Sequence, residues 1–469
     1  MNETEESGVS VAPAVAWSGR EAGRLDRAAL AELAGMGVID TVIVAAPDMQ
    51  GRLQGKRVMP RFFLDTVADQ ATEGCNYLLA VDVEMTPVPG YRFASWDQGY
   101  GDFVMMPDLE TLRRAAWTES AALVLCDIVD HHGTPAPVAP RSILKRQIAR
   151  LAEHGLSASA ATELEFLLFR MSYEECWQRG YRDLLPANLY NVDYSVLGTA
   201  KVEKVIRRIR NALDASGVQV ENSKGECNLG QHEINFRYRD ALGCADGHAV
   251  YKEAAKEIAQ DEGCAISFMA KFNEREGNSC HIHLSLQAAD GQPVFASGEG
   301  HSELFGQFLA GLTAHAADLA LFFAPTINAY KRYAVGSFAP TALAWGHDNR
   351  TCAFRVLGKG RSLRVENRLP GGDVNPYLAL AGMIAAGLDG IERKLPAPAP
   401  VSGNAYFGEL PRVPKTLAEA AALWRASDFA GRAFGEEVVE HYAHMAETEI
   451  AAFNTAVTDW ERVRCFERM

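Results

Sequence analysis

The pattern of apolar and polar positions predicts strands that carry charge on one face. The clearest example is residues 162–169, an apolar run in which Glu163 and Glu165 stand two positions apart. Such a run, bounded by Gly155 and Arg170, predicts a buried strand, and on a strand this spacing puts both carboxylates on one face. An ionised carboxylate is costly to bury without a cation. The strand therefore requires arginines or metal ions nearby, unless its charged face is open to solvent.

Three further segments repeat this arrangement of polar residues around an apolar strand pattern. Their polar residues are His281, His283 and Ser285 in the first, Arg364, Glu366 and Arg368 in the second, and Glu226 with Glu233 on either side of a glycine-containing turn in the third. One charged strand face is ordinary, but four are hard to explain as solvated surface. We predict that these segments form one site.

The residue types in these segments indicate a chemistry. Five carboxylates with one or two histidines suit hard divalent ions such as Mg²⁺ or Mn²⁺, and the lack of cysteine ligands disfavours structural zinc. Arginines favour an anionic substrate, because a guanidinium binds carboxylate or phosphate in bidentate fashion. The chain has no glycine-rich phosphate loop, so a nucleotide would be held through metals and arginines. A two-metal hydrolase would also fit these ligands, but it explains the arginines less well.

The order of predicted elements suggests two domains. A helix over Leu25–Met36 leads into a strand over Asp40–Ala46, and a second buried strand covers Ala121–Asp127. Three prolines between His131 and Pro140 mark a boundary. Beyond it we predict a helix capped near Ser142 and running to about His154, a loop-rich stretch over 171–200, a helix to about Ser216, and helices over 247–262, 301–320, 376–394, 416–425 and 434–455. The predicted division is a disordered N-terminus (1–20), a first domain (21–135) and a second (136–469).

Composition narrows the partners and the compartment. The 469 residues include 60 acidic and 46 basic side chains, and the net charge of −14 argues against nucleic acid or an anionic membrane as the main partner. Nine cysteines without a Cys-x-x-Cys spacing indicate reduced thiols rather than a disulfide framework. The acidic N-terminus has no apolar signal core, and no run of about 18 apolar residues follows. These features predict a cytoplasmic protein that does not cross a membrane.

Taken together, the motifs resemble those of the glutamine synthetase family over nearly the whole chain. The segments that carry the resemblance are the turn at 48–57, Glu163-Leu-Glu165-Phe, Glu226 with Gly-Gln-His-Glu233, Gly277-Asn-Ser-Cys-His281-Ile-His283-Leu-Ser285, Asn328-Ala-Tyr-Lys-Arg332, Asn349-Arg350, Arg364-Val-Glu366-Asn-Arg368 and Asn375-Pro-Tyr. The resemblance implies an α+β fold, with a small N-terminal β-grasp domain followed by a larger α/β catalytic domain. It also implies a homo-dodecamer of two stacked hexamers with active sites between neighbouring subunits.

The resemblance further implies roles for individual residues. One metal ion would be held by Glu165, Glu226 and Glu233, and the other by Glu163, His281 and Glu366. Glutamate would be bound by Gly277, Arg332 and Arg368. ATP would contact Glu221, Tyr238, His283, Ser285, Arg350, Arg355 and Arg364, of which Arg350 would also serve catalysis.

Two departures from the family pattern concern the amine substrate. Ammonia-using members carry Gly-Tyr-Glu-Ala-Pro after the Lys-Arg pair, and its Glu binds ammonium; here Phe338 stands in that place, within Gly-Ser-Phe-Ala-Pro. The family's N-terminal Asp-Gly-Ser-Ser motif, which also helps to bind ammonium, is missing. A larger amine can gain from contact with an aromatic face. The chain therefore resembles most the branch that joins glutamate to organic amines, and Asp82 and Asp97 of a neighbouring subunit are candidates for the base.

The sequence thus predicts an ATP-dependent ligase that activates glutamate as γ-glutamyl phosphate and passes it to a small primary amine, ethanolamine before polyamines. An ordinary glutamine synthetase with a relocated ammonium site is the first alternative. The second, a catalytically silent ring-forming protein kept for structure or regulation, should have lost metal ligands, and all six are present.

Overall fold

Two large β-sheets organise the chain. The structure is a computed structural model that describes residues 22–298 and 300–469, so the predicted disordered segment 1–20 lies outside the described residues. Within the described residues, the first sheet consists of β1 (Thr41–Pro47), β2 (Leu53–Val58), β3 (Thr72–Cys75), β4 (Asp102–Pro107), β5 (Arg113–Arg114) and β6 (Ala121–Val129). The second consists of β7 (Leu156–Phe169), β8 (Val220–Gly225), β9 (Gln231–Phe236), β10 (Arg239–Asp240), β11 (Ala265–Ser267), β12 (Cys280–Ala288), β15 (Ala342–His347), β16 (Cys352–Leu357) and β17 (Arg364–Asn367). The strands β13 (Ala296–Ser297) and β14 (Gly300–His301) form a separate short hairpin between β12 and β15.

The first sheet has the strand order β2-β1-β6-β4-β3, with β5 on β6. Strands β1 and β6 are parallel, and its other pairs are antiparallel. The predicted turn at 48–57 joins β1 to β2, where the Asp48 carboxylate accepts the N–H groups of Gln50 and Arg52 at 3.0 and 2.9 Å. This carboxylate satisfies the turn's backbone donors, as aspartate commonly does in turns.

The second sheet has the order β15-β16-β17-β12-β7-β9-β8, and all its pairs are antiparallel except β15 with β16. Its four central strands, β17, β12, β7 and β9, are the ones in which the sequence predicts a charged face. Because these strands are direct neighbours, their polar residues lie side by side on the same face of the sheet. The prediction that the four segments come together is confirmed.

Some of the helices cover the other face of this sheet. The helices are α1 (Arg27–Gly35), α2 (Pro60–Phe62), α3 (Ala68–Gln70), α4 (Pro140–Glu153), α5 (Tyr173–Gln178), α6 (Val196–Ala200), α7 (Glu203–Asp214), α8 (Ala241–Asp261), α9 (Glu303–His315), α10 (Ala320–Phe323), α11 (Pro376–Glu392), α12 (Leu417–Ala426), α13 (Asp428–Phe434), α14 (Glu436–Thr455) and α15 (Asp459–Cys465). Helices α4 and α8 pack on β7, and α11 packs on α4, α8 and α9. The apolar residues that alternate with the charged ones, such as Leu164 and Ile282, are fully buried beneath them.

Three predicted helices differ from the observed ones in ways that have a clear physical reason or change the element count. Helix α4 begins at Pro140 rather than near Ser142, because proline lacks an N–H and fits the first turn of a helix. Helix α8 begins at Ala241, six residues before the predicted start, and the Asp240 side chain caps it by accepting the N–H of Gly243. The predicted helix over 301–320 is two helices, α9 and α10.

A buried ionic contact joins the first sheet to helices α4 and α8, which pack on the second sheet. Arg141 of α4 donates to Asp127 of β6 at 2.6 Å, to Asp108 after β4 at 2.7 Å, and to both carboxylate oxygens of Asp246 in α8 at 3.0 and 3.1 Å. Buried apolar residues of both sheets also form one continuous cluster. The division of the chain at 135/136 stays a prediction.

The remaining predictions about the chain as a whole concern its thiols and its membrane contact. All nine cysteines are free thiols, as expected for a chain without a disulfide framework. Among the helices of the described residues, none combines the length and the apolar character needed to span a bilayer.

Candidate active site

The register of the central strands brings the predicted ligands together. Glu163 of β7 lies opposite His281 of β12, and Glu165 lies opposite Glu233 of β9. On the other side of β12, Glu366 of β17 lies opposite His283. Directly paired residues on one face are about 5 Å apart at Cβ, so this register alone assembles a cluster of carboxylates and imidazoles.

Glu163, His281 and Glu366 form a first triad, with ligand atoms that all lie within 4.8 Å of one another. His281 Nδ1 lies 3.5 Å from Glu366 Oε1 and 3.6 Å from Glu163 Oε2. Burial, helped by the positive charge of Arg368, lowers the pKa of His281 to about 4. The imidazole is therefore neutral near pH 7 and has a lone pair to offer to a metal ion.

Glu165, Glu226 and Glu233 form a second triad, also within 4.8 Å. Burial, followed by the charges of Glu163 and Glu226, raises the pKa of Glu233 to about 8. Burial and the same kind of repulsion raise the pKa of Glu165 well above its ordinary value. These three carboxylates, two of them buried, lie close together, and the ammonium of Lys224 is paired with one of them, Glu226. A divalent ion would supply the missing positive charge, and all-oxygen ligands suit Mg²⁺ or Mn²⁺.

Two arginines hold the fully buried carboxylate of Glu366. Arg368 Nη1 lies 2.5 Å from its Oε1, and Arg355 Nη1 lies 3.0 Å from its Oε2. Arg355 also donates to Asp348. Charge-assisted bonds of this kind fix the orientation of a carboxylate, so Glu366 is presented to the first triad in one geometry.

The predicted glutamate-binding residues also lie together. The guanidinium of Arg332 is buried and donates to Ser279 Oγ at 2.9 Å and to the carbonyls of Arg368 and Leu369 at 3.1 and 2.9 Å. A Cβ atom on Gly277 would lie 2.2 Å from the carbonyl oxygen of Ala270 and 3.1 Å from Arg332 Cγ. Only glycine fits that position, because any side chain would displace this backbone or Arg332.

A cleft of about 480 Å³ extends from Glu163 along the sheet. Of the seven predicted ATP-contacting residues, five line it: Glu221, Tyr238, His283, Ser285 and Arg364. Arg364 Nε donates to His283 Nδ1 at 3.1 Å. Arg355 is turned towards Glu366 instead, and Arg350 is exposed on the turn between β15 and β16. The structure therefore groups most of the predicted nucleotide residues but places these two arginines elsewhere.

Phe338 has an unusual backbone conformation. Its φ is +59° and its side chain is 60% exposed, while its carbonyl accepts a hydrogen bond from Arg368 Nη2 at 3.2 Å. A bulky residue with positive φ is a genuine outlier, and such conformations persist where the surrounding structure enforces them. The contact with Arg368 anchors Phe338 beside the predicted glutamate site.

The candidate bases Asp82 and Asp97 lie near the first sheet. Asp82 accepts the N–H groups of Glu84 and Thr86, both at 2.9 Å, within its own turn. Asp97 is exposed on a single helical turn, residues 96–98. No contact between either residue and the two triads exists in the part of this chain that the structure describes.

Lys224, Gln231 and Ser279, to which the sequence motifs assign no role, also contact the triads. Gln231 Nε2 donates to Glu165 Oε2 at 3.0 Å, and the N–H of Ser279 donates to the same oxygen at 2.7 Å. Lys224 stands two positions before Glu226, and Gln231 two before Glu233. The alternation that identified the carboxylates also puts these neighbours on their face. Ser279 acts through its backbone, for which the sequence carries no signal.

The two triads consist of the residues that the family resemblance assigns to two metal ions, and most of its ATP-contacting residues line the adjoining cleft. Residues 137–465 match the glutamine synthetase catalytic domain. The chain belongs to the glutamine synthetase family, whose enzymes use ATP and a divalent metal ion. The predicted family and the predicted α+β fold are confirmed.

Relatives with known names include enzymes that act on organic amines. Gamma-glutamylethanolamide synthetase GlnA4 of Streptomyces coelicolor is 60% identical over 437 residues, which cover 93% of this chain and 95% of the relative. Glutamate–isopropylamine ligase of a Pseudomonas species is 39% identical over 434 residues, covering 91% and 95%. A solved GmaS/ADP complex superposes with a TM-score of 0.82 at 28% identity, covering 93% of this chain and 99% of that one.

Proposed function

We propose that this protein is an ATP-dependent ligase that joins glutamate to a small primary amine, with ethanolamine favoured and polyamines next. The observation that carries the proposal is Phe338, which stands where ammonia-using members carry a Glu. Its backbone carbonyl accepts a hydrogen bond from Arg368. The two triads beside it are complete. The names of the 60% and 39% identical relatives, which act on ethanolamine and isopropylamine, point the same way.

In this proposal Arg332 and Arg368 hold the substrate glutamate, with Gly277 leaving room for it. A guanidinium presents two parallel donors to a carboxylate, so it fixes the orientation of glutamate as well as its position. A γ-carboxylate oxygen then attacks the terminal phosphorus of ATP, the bond from that phosphorus to the bridging oxygen breaks, and γ-glutamyl phosphate forms as ADP leaves; the amine nitrogen then displaces phosphate from the acyl carbon. Holding the two reactants in line supplies much of the rate enhancement in phosphoryl transfer.

The two triads would hold Mg²⁺ or Mn²⁺, which when bound would neutralise phosphate charge. The five cleft residues would hold the nucleotide next to Glu163, which lines the same cleft, as do Tyr238 and Arg364. Arg364, which carries a positive charge beside His283, is suited to a phosphate. We assign Arg350 and Arg355 to the phosphates as well; reaching them requires rearrangement of the turn between β15 and β16.

The amine would approach along Phe338. The exposed ring offers the methylene groups of the amine an apolar surface that a Glu would not provide. A polyamine carries a second ammonium group that requires a further acidic partner, so ethanolamine fits better. Asp82 or Asp97 of a neighbouring subunit would accept the proton of the amine, in a cytoplasmic dodecamer of two stacked hexamers.

Phosphate release tests this proposal directly. The purified enzyme is given ATP, glutamate and one amine at a time from ammonium, ethanolamine, putrescine, spermidine and short alkylamines, and the products are identified by mass spectrometry. We expect kcat/KM for ethanolamine to exceed that for ammonium by at least about tenfold, or about 1.4 kcal/mol. Reactions without glutamate are the control for uncoupled hydrolysis. If ammonium is as good a substrate as every amine, the protein is an ordinary glutamine synthetase.

A further inference from the structure

Lys224 of β8 brings a cation into the second triad. Its ammonium forms an ion pair with Glu226 Oε1, lies 3.3 Å from Asp193 Oδ1, and lies 4.6 Å above the centre of the Tyr194 ring. The side chain is largely shielded from solvent. A primary ammonium is thus held between two carboxylates and an aromatic face, at the edge of the proposed metal site.

The position of this ammonium conflicts with a metal ion on the same carboxylate. A divalent ion on Glu226 would come within a few ångströms of the Lys224 ammonium that is paired with the same carboxylate. Moreover, two cations a few ångströms apart repel each other strongly in a partly buried site. Lys224 has alternative partners within reach, because Asp193 and Tyr194 already surround its ammonium. These two residues belong to the segment between α5 and α6 and take no part in either triad.

We propose that Lys224 is an internal counter-ion of the second triad, which holds Glu226 in the metal-free enzyme and moves onto Asp193 and Tyr194 when a divalent ion binds. The inference rests on the proposed role of Glu165, Glu226 and Glu233 as metal ligands. Lys224 positions Glu226 and does not contact substrate. Since the ion must displace a bound cation, Lys224 lowers the metal affinity of this triad.

The proposed exchange moves the ammonium of Lys224 from one partner to another and involves no transfer of a proton. Neutralising the side chain by mutation is the direct way to remove its charge.

A titration with Mn²⁺ as the only metal tests this inference. Chelator-treated full-length enzyme is used, and electron paramagnetic resonance monitors the binding. The variant Lys224→Met should bind Mn²⁺ at the second triad at least roughly tenfold more tightly than the wild type, because the competing charge is gone. Lys224→Arg keeps the charge and should stay within about threefold of the wild type. If the Met variant fails to assemble, Lys224→Gln replaces it with the same expectation.

Two further variants separate the possible outcomes. Lys201→Met is the matched control, since the ammonium of Lys201 also lies over a tyrosine ring, that of Tyr190, at 4.8 Å. It should leave Mn²⁺ affinity unchanged. Glu233→Gln identifies the class of Mn²⁺ sites that belongs to the second triad. If neutral variants of Lys224 bind no tighter in that class, the inference is wrong and the triad stands; if Glu233→Gln loses no site, the proposed metal role itself fails.

Discussion

Replacing Phe338 with Ala isolates the contact on which amine choice is proposed to depend. The contact to Arg368 runs through the backbone carbonyl of Phe338, which Ala retains. Phe and Ala both carry a Cβ at the φ of +59°, so the backbone strain is similar in the two proteins. Gly would relieve that strain and confuse the comparison. Because the ring is 60% exposed, its removal should cost little stability.

The size of the effect follows from the apolar surface of the amine. Burying one methylene group contributes about 0.8 kcal/mol, and ethanolamine has two. If one ring face covers about half of their surface, the contact is worth about 0.8 kcal/mol; full cover would give about 1.6 kcal/mol. Phe338→Ala should therefore lower kcat/KM for ethanolamine by about 4-fold to 15-fold. Ammonium has no methylene, so its kcat/KM should change by less than about twofold.

Coupled phosphate-release assays with each amine, at saturating ATP and glutamate, measure this difference. The KM for glutamate should not move, which shows that Arg368 is still in place. Phe62→Ala, which removes another exposed phenylalanine near the first sheet, is the control and should leave both amines unaffected. An equal fall for ethanolamine and ammonium would refute the reasoning, because it would show that Phe338 supports the site in general and does not contact the amine.

Three other predictions concern glutamate, stability and pH. Arg332→Lys should raise the KM for glutamate much more than that for ATP, since the bidentate fork is lost; an unchanged glutamate KM would remove Arg332 from the substrate site. Arg141→Met should destabilise the protein by about 3–5 kcal/mol in thermal or denaturant unfolding, since it removes the guanidinium that pairs with the buried carboxylate of Asp246. Arg27→Met, which breaks an exposed pair with Asp69, should leave stability nearly unchanged. Equal costs would contradict this. Because the pKa of Glu233 is raised to about 8, the metal-free fold is more stable at low pH, where this carboxyl is protonated, and the contribution should be lost as pH rises from about 5 through 8. The Tm of the wild type should therefore fall over this range, and the fall should flatten in Glu233→Gln. A wild-type Tm that rises over this range would count against it.

The charged face of the sheet could be predicted from the sequence because side chains along a strand alternate between its two faces. Glu163 and Glu165, or His281 and His283, share a face in any strand, whatever its neighbours. The order of strands in the sheet did not follow from this pattern, yet all four charged strands are adjacent. The cost of burying separate carboxylates explains why they converge, since one shared set of cations can compensate all of them.

Other features depend on contacts between residues far apart in the chain. Arg141 and Asp246 are 105 positions apart, and nothing local marks Arg141 as a buried residue. The start of α8 was missed because Gly243 and Gly247 weaken the helical pattern there, while tertiary packing on β7 overrides their low propensity. The positive φ of Phe338 is likewise imposed by its surroundings, since Phe has no preference for that conformation.

The two triads differ in how far the chain itself balances their charge, and this difference predicts the order of metal binding. Burial disfavours the ionised form of Glu366, but the neighbouring imidazole of His281 and the guanidinium groups of Arg368 and Arg355 outweigh it and hold its pKa below the ordinary value. In the second triad burial and mutual repulsion prevail, and the pKa values of Glu165, Glu226 and Glu233 are all raised. A divalent ion relieves more unfavourable charge there, even against Lys224, so the second triad should bind Mn²⁺ more tightly than the first. In a titration with Mn²⁺, Glu233→Gln should remove the tighter class of sites and His281→Asn the weaker one, and the reverse assignment would show that the arginines around Glu366 do not weaken the first triad.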